Sequence, residues 1–293
     1  VVDDGERRNL LAALGSKVYS GSVAGAISRT TTAPIDRLKT LMQAAPPGEA
    51  SGGIVAGLRA IYREGGLLGF FRGNSVNVIK IAPETSIKFL AFDWLKTAIA
   101  QDRENVTIAE RFRAGGTAGA IAQTIIYPLE ICKTRLAIAP AGTYSGMIDC
   151  LRTISRIEGN AALYSGLPTS LVGIVPYAGI DLSVNSLLKD QTTQYYAKRD
   201  QEPGVGTVLG CGMASSTCGM VCTYPLNLIR TRLQVSGMPD APSYSGPLDC
   251  LKKTVSKGGL RALYQGLLPN MLKVLPATSI SYAVYDLLSK KSA

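Results

Sequence analysis

The sequence contains no histidine and a single tryptophan among its 293 residues. Without histidine the chain lacks the commonest general base, the commonest zinc ligand and the usual partner of a serine or cysteine nucleophile, so hydrolase and zinc-enzyme readings start at a disadvantage. Charge is sparse as well: 18% of residues are charged and 46% hydrophobic, with a mean hydropathy of +0.16. That balance argues against a disordered chain and leaves two classes, a helical membrane bundle or an unusually apolar soluble domain. None of the six cysteines makes a CxxC pair, which in a chain this long speaks against a disulfide framework. Cys211, Cys218 and Cys222 fall on one helical stripe and read as small packing residues, not metal ligands. There is no nucleophile–base pair and no GxxxxGK[ST] motif, so no catalytic residue is assigned and the chain is not expected to be an enzyme. Residues 1–20 carry Asp3, Asp4, Glu6, Arg7, Arg8 and Lys17 around a short apolar run. That pattern does not resemble a signal peptide, and a start at Val1 is expected of a processed or truncated chain.

What charge there is has one sign in excess: 31 Lys and Arg against 21 Asp and Glu, a net charge of +10. A polyanionic partner follows, whether nucleic acid, acidic lipid or phosphorylated metabolite. The gaps between charges are more informative. Residues 159–180 and 203–229 run for 22 and 27 residues without a charge, each long enough to cross a hydrocarbon core of about 30 Å as a helix. Residues 114–129 form a third gap, and 18–35, 74–92 and 267–285 are apolar with isolated charges. A water-soluble helix needs a polar face every turn, and 203–229 offers only small polar residues and one tyrosine there. Six candidate spans follow, and the nucleic-acid-binding scaffold falls behind. Arg29, Asp36, Lys39, Lys80, Glu84 and Lys88 lie within or beside the spans, where a charge is costly and faces a partner or a watery cavity.

The chain repeats itself. Pro34-Ile35-Asp36-Arg37-Leu38-Lys39 returns as Pro128-Leu129-Glu130-Ile131-Cys132-Lys133 and as Pro225-Leu226-Asn227-Leu228-Ile229-Arg230. Upstream stand Gly21 and Gly25, Gly115 and Gly119, Gly212 and Ser216, a small-xxx-small pattern that allows close helix approach. Downstream come Phe71-Arg72-Gly73, Tyr164-Ser165-Gly166 and Tyr264-Gln265-Gly266, then Pro83, Pro176 and Pro276. Between the spans, Ile54, Leu58, Ile61 and Tyr62 have amphipathic spacing, and Leu248, Leu251 and Val255 repeat it, so these segments are expected along the membrane surface. The reading is three units, 1–100, 101–200 and 201–293, each a long helix, a short amphipathic helix and a long helix. An even number of spans places both termini on one side. Lys and Arg divide about equally between the two sets of loops and set no orientation.

These three ordered copies of the Pro-x-acid-x-x-base motif, the third with Asn227 in the acid's place, each followed by Gly-x-x-x-x-aromatic-x-Gly, closely resemble the mitochondrial carrier family over residues 15–290. Ser28-Arg29-Thr30 and the run from Gly73 to Glu84 look most like its ATP-Mg/phosphate carriers. The resemblance implies an all-α membrane protein of the mitochondrial inner membrane: six transmembrane helices in three pseudo-symmetric repeats, with short surface helices between the spans of each repeat. ATP-Mg/phosphate carriers usually bear an N-terminal calcium-sensing domain, and these 293 residues hold no Asp-x-Asp-x-Asp-Gly loop. An isolated transport domain or a shorter, calcium-independent relative is expected.

The resemblance also implies roles for particular residues. In a matrix gate Asp36 meets Lys133, Glu130 meets Arg230, and Asn227, standing where the third acid belongs, meets Lys39 by a hydrogen bond weaker than an ion pair. Gln43 and Gln234 brace this ring, with Ala137 in the corresponding place of repeat two. A cytoplasmic gate is expected from Asp93 with Lys189 and Asp286 with Lys96. Between the gates, Arg29, Lys80 and Lys273 suit phosphates, Gly173 and Ile174 suit a purine, and Glu84 either helps hold the Mg²⁺ of a nucleotide or neutralises Lys80 and Lys88. Gly73, Asn74, Gly166 and Gly266 lie at helix N-termini where cardiolipin phosphates are implied. The implied activity is alternating-access exchange of ATP-Mg or ADP for phosphate, with no intrinsic cofactor or metal site and Mg²⁺ travelling with the nucleotide. Coenzyme A or another adenine nucleotide is the alternative substrate, and a soluble helical-repeat scaffold the remote one. A cavity inside one three-unit barrel requires only a monomer.

Overall fold

A computed structural model describes residues 22–47, 53–99, 108–140, 142–197, 203–239, 241–274 and 276. It is helical throughout, with no strand among the described residues. Residues 22–31 form α1, Thr32 interrupts the helix with ψ near 1°, and α2 spans Ala33–Ala44. The cause is local: Pro34 has no N–H and its ring crowds the carbonyl four residues back. The Thr32 hydroxyl donates to the Ser28 carbonyl at 2.9 Å and steadies the join. A surface helix α3, Gly53–Gly69, breaks at Gly65 and Gly66, where Gly66 has a φ of 58°. Helices α4 (Asn74–Ile79) and α5 (Ile81–Ile99) meet at Lys80, three residues before Pro83.

Repeat two follows as α6 (Ile108–Ile138), surface helix α7 (Met147–Ile157) and α8 (Leu167–Ala197). Repeat three has α9 (Val205–Val235), surface helix α10 (Pro247–Gly258) and a helix beginning at 267 and described to 274. Pro128, Pro176 and Pro225 lie inside continuous helices. Each of α6, α8 and α9 has 31 residues, about 46 Å at ~1.5 Å per residue, which exceeds the bilayer core. By length and hydropathy alone, residues 160–197 are the one membrane span among the described residues. Helices α6 and α9 are equally long, but the Gly, Ser and Thr that let them face neighbouring helices lower their hydropathy.

Two of the surface helices are tied down in the same way. The Ser145 N–H donates to Asp149 at 2.9 Å and the Ser245 N–H to Asp249 at 3.0 Å. The Ser145 backbone N–H holds Asp149 below the usual carboxylate range, and Lys253 leads Ser245 in doing the same for Asp249. Cys150 and Ile154 of α7 pack on Tyr127, Ile131 and Cys132 of α6, while Val76 of α4 covers the same cluster. In α10 the inward residues are Cys250 and Thr254, and Leu248 is 81% exposed. Leu248, the first residue of the expected amphipathic spacing, is thus on the outer side of the helix. Likewise Cys211 is buried, but Cys218 and Cys222 are exposed.

The far ends of α2, α6 and α9 converge. Ala44, Ala139, Val235 and Met238 form one buried apolar cluster there. Around it runs a cycle of three buried arginines, each donating to the unsatisfied carbonyls at another helix's C-terminus. Arg37 of α2 donates from Nε to the Ala137 carbonyl at 2.9 Å, closing off α6. Arg135 of α6 reaches the carbonyls of Gln234 and Ser236, both at 3.0 Å, beyond and at the end of α9. Arg232 of α9 reaches those of Gln43 at 3.2 Å and Ala45 at 3.1 Å at the end of α2. The remaining guanidinium donors go to Glu64 and the Gly69 carbonyl from Arg37, to Glu158 from Arg135, and to Gln265 and Thr254 from Arg232.

The small-xxx-small glycines do not supply the closest approaches. An added Cβ at Gly25 would meet Ile81 at 3.4 Å, while Gly119 and Gly212 have nothing within 4 Å. Among the glycines of the spans, tight approaches to backbone occur instead at those that open the even-numbered spans, which share a φ near +80°. A Cβ on Gly73 would lie 2.8 Å from the Lys133 carbonyl.

Two stability predictions follow from this packing. Arg135→Ala leaves Glu158 and two helix-terminal carbonyls without a donor, and is expected to lower stability by about 3–5 kcal/mol, read as a fall in the unfolding temperature of the detergent-solubilised chain. Gly73→Ala adds left-handed strain and a backbone clash, with an expected loss of about 1–3 kcal/mol in the same measurement. An unchanged unfolding temperature in either variant counts against the contact it removes.

Candidate functional site

Just inside the converged helix ends lies a polar cavity of about 120 Å³, lined by Asp36, Lys39, Glu130, Lys133, Asn227, Arg230 and Lys273 among others. The repeats explain how it forms. Each acid or its substitute stands two residues after an odd-helix proline and each base five residues after it, so the three helices present them at one depth. Lys133 Nζ lies 2.7 Å from Asp36 Oδ2, and Arg230 pairs with Glu130 Oε2. The guanidinium of Arg230 also stands 5.7 Å from the centre of the Tyr127 ring, a cation–π contact. Both pairs link neighbouring odd helices.

The third link differs from expectation. No hydrogen bond or ion pair joins Lys39 to Asn227 among the described residues; the amide carries no net charge to draw the ammonium across. The two carboxylates attract extra cations instead. Lys273 Nζ donates to Asp36 Oδ1 at 2.6 Å, and Lys80 pairs with Glu130 Oε1. Lys80 and Lys273, expected to stand apart as substrate contacts, are thus in the ring itself. Desolvation accounts for this: at membrane depth an ammonium without a counter-ion takes the nearest carboxylate within reach.

Above them, Arg29 donates to both the carbonyl and the side-chain oxygen of Asn77, each at 3.0 Å. Glu84 lies between two lysines, 3.6 Å from Lys80 and 2.7 Å from Lys88. Its Oε2 is buried without a hydrogen-bond donor. Gly173 and Ile174 of α8 are half-buried, and Gly173 faces Leu226 of α9.

Gln43 and Gln234 sit below the ring but engage hydroxyls, not the ion pairs. Gln43 Nε2 donates to the Tyr224 hydroxyl at 2.9 Å and Gln43 Oε1 accepts from Thr231 at 3.1 Å. Gln234 Oε1 accepts from Thr134 at 2.8 Å and its Nε2 donates to Tyr127 at 3.3 Å. Each glutamine therefore ties one odd helix to another. Ala137, without a polar side chain, contributes the carbonyl that Arg37 binds.

The opposite end is different. Asp93 and Lys189 are exposed and make no ion pair among the described residues. The expected pair is absent because in this conformation the chain is closed at the proline-motif end, and a carrier with one central cavity opens at one end when closed at the other. Lys96 is half-buried, and its expected partner Asp286 lies outside the described residues. At the helix starts, Gly73, Gly166 and Gly266 press on odd-helix carbonyls, those of Lys133, Arg230 and Lys39. Asn74 Nδ2 donates to Thr30 at 3.1 Å.

Sequence reading missed several partners. Asn77, the acceptor for Arg29, carried no motif. Asp181 of α8 accepts from Ser215 at 2.7 Å and Ser216 at 3.0 Å on α9, though a carboxylate at the edge of a 22-residue uncharged run was a usable signal. Tyr127 and Tyr224 stand immediately before the prolines of repeats two and three and donate to the Ser165 and Gln265 carbonyls at 2.9 and 2.8 Å. Their recurrence beside the prolines was visible; Ala33 in the same place of repeat one concealed it.

Comparison with known proteins agrees with this architecture. The family model described as mitochondrial carrier protein matches three times, at residues 12–103, 104–196 and 201–292. The chain is 47% identical over 270 residues to the bovine (Bos taurus) mitochondrial adenyl nucleotide antiporter SLC25A24. It is 48% identical over 273 residues to the human (Homo sapiens) mitochondrial adenyl nucleotide antiporter SLC25A25, and 49% over 270 to the Bos taurus calcium-binding mitochondrial carrier protein SCaMC-2. Each alignment covers 92% of this chain and 57% of the relative, so the chain spans a little over half the length of these proteins. With three copies of the family unit and the gate-forming proline motifs brought together at one end, the chain belongs to the mitochondrial carrier family.

Proposed function

We propose that this multi-pass protein of the mitochondrial inner membrane exchanges ATP-Mg or ADP for phosphate by alternating access. It works as a carrier and not as an enzyme, and one chain encloses the whole pathway. The observation that carries the reading is the set of cations Arg29, Lys80 and Lys273, from three helices: Arg29 stands above a ring of ion pairs that closes one end, and the two lysines are bound to its carboxylates. The resemblance of nearly half of the residues to adenyl nucleotide antiporters supports the same substrate class.

The geometry suggests how binding and gating are joined. Lys80 and Lys273 are held by Glu130 and Asp36, which also hold Arg230 and Lys133. An incoming phosphate group competes with the two carboxylates for the two lysines. A charge-assisted contact to phosphate replaces one to carboxylate at little cost, and the gate loses two of its four ionic contacts. Glu84 serves as the internal counter-ion of Lys80 and Lys88 until phosphate arrives, and its unpartnered Oε2 is the oxygen that meets the waters of the nucleotide's Mg²⁺. The purine lies against Gly173 and Ile174. At the membrane surface, the helix starts at Gly73, Asn74, Gly166 and Gly266 receive acidic lipid phosphates such as those of cardiolipin. The gate beside Asp36 faces the matrix, and the open end with Asp93, Lys96 and Lys189 faces the cytoplasm.

The test is uptake of labelled ATP, with and without Mg²⁺, into liposomes carrying the chain and loaded with phosphate or ADP. Exchange is expected with either internal anion, and Lys80→Ala is expected to reduce it about 10- to 100-fold, the equivalent of one charge-assisted contact. Uptake of coenzyme A alone keeps the carrier architecture and overturns the substrate assignment.

A further inference from the structure

We infer that the gate cavity is itself a binding site for a small inorganic oxyanion, with phosphate filling the place that a carboxylate on residue 227 would occupy. Four cations line the cavity, Lys39, Lys133, Arg230 and Lys273, against the two carboxylates Asp36 and Glu130. Both carboxylates are already shared, Asp36 by Lys133 and Lys273, Glu130 by Arg230 and Lys80. Lys39 is left without a carboxylate within ion-pair distance among the described residues. The charges that act on it most strongly are three cations, Lys273, Lys133 and Arg230, against one carboxylate, Asp36. An ammonium in that position at membrane depth needs an anion.

The space and the donors fit one. The cavity holds about 120 Å³, well above the roughly 10–15 Å³ that a single water requires. Asn227 lines it and its side-chain amide makes no hydrogen bond among the described residues. Thr40 and Thr231 also line it; their hydroxyls donate to the Asp36 carbonyl and to Gln43 or the Asn227 carbonyl, and a hydroxyl oxygen can rotate its proton to another acceptor. A tetrahedral oxyanion with several acceptor oxygens can take Lys39, the Asn227 amide and Arg230 together. An amide in place of the third acid thus makes gate closure dependent on an anion from solution. The site shares Lys273 with the one proposed for the transported nucleotide but is otherwise distinct: neither Arg29 nor Lys80 lines it, and Arg29 is engaged by Asn77.

The experiment needs binding alone, so it stands or fails apart from the transport assignment. Thermal unfolding of the detergent-solubilised chain is followed during titration with inorganic phosphate, and with chloride at equal ionic strength. A saturable upward shift of about 2–4 °C is expected with phosphate. In Asn227→Asp the built-in carboxylate supplies the missing charge, so the unfolding temperature without phosphate should rise and the phosphate shift should shrink to whatever the transport site alone contributes. Lys39→Gln should lose the shift without needing that gain, and Arg29→Ala should keep it. Four outcomes overturn the inference: no shift in the parent chain, an equal shift with chloride, a shift retained in full by Asn227→Asp, or a shift lost in Arg29→Ala as well, which places the anion at the nucleotide site.

Discussion

The cost of leaving a charge unpaired at membrane depth governs this molecule. Hydrocarbon offers no water to a carboxylate or ammonium, so each buried ion must find a partner on another helix or face the cavity. In this chain the partners lie across the pseudo-threefold axis. Asp36–Lys133 and Glu130–Arg230 join the first odd helix to the second and the second to the third. The same requirement sets the arginine cycle: the C-terminal carbonyls of α2, α6 and α9 have no intrahelical donors, and Arg232, Arg37 and Arg135 supply them. The ion pairs and the cycle both act between helices, so the full set forms only when all three helix ends come together. Closure is therefore a property of the set, and the apolar contact of Ala44, Ala139 and Val235 adds to a geometry that the charges already impose.

The repeats are alike but not equal, and the inequalities concentrate where the chemistry is. In repeat one the cycle's arginine is Arg37, one turn earlier than the positions of Arg135 and Arg232, because Leu41 stands in the corresponding place. In repeat three Gly258 occupies the position of Glu64 and Glu158, and Gln265 with Thr254 receives Arg232 instead. Such substitutions keep the hydrogen bonds and change the charge. Asn227 does both less and more: it removes a charge and leaves the hydrogen bond unmade.

The architecture was largely legible before any coordinates. Period and motif order identified three units, because proline, glycine and charge mark fixed points of each. The pairing of Asp36 with Lys133 and of Glu130 with Arg230 came from resemblance, since spacing alone gives only positions along single helices. What escaped were contacts that depend on the direction of long side chains. Lys80 and Lys273 reach the gate acids because their flexible stems extend about a turn along the helix, a distance that periodicity does not encode. The arginine cycle escaped for a related reason: its acceptors are main-chain carbonyls, which carry no sequence signal beyond the end of a helix. The exposed Asp93 and Lys189 show the converse case, a pair implied by motif alone that the structure does not bring together.

Sharing of the gate acids gives the closed end an adjustable depth. A ring of isolated pairs would resist opening in proportion to its members, and nothing in the cavity above would alter that resistance. Here each carboxylate holds two cations, one from the gate and one from the even-numbered helix that also faces the cavity. In the proposed exchange, a phosphate that takes the second cation would weaken the closed state only while it is bound, so the free-energy difference between closed and open forms would depend on occupancy. Exchange requires that dependence: an empty carrier that opened freely would leak, and one that stayed equally closed when loaded would not turn over. The shared lysines meet both conditions with the same few bonds.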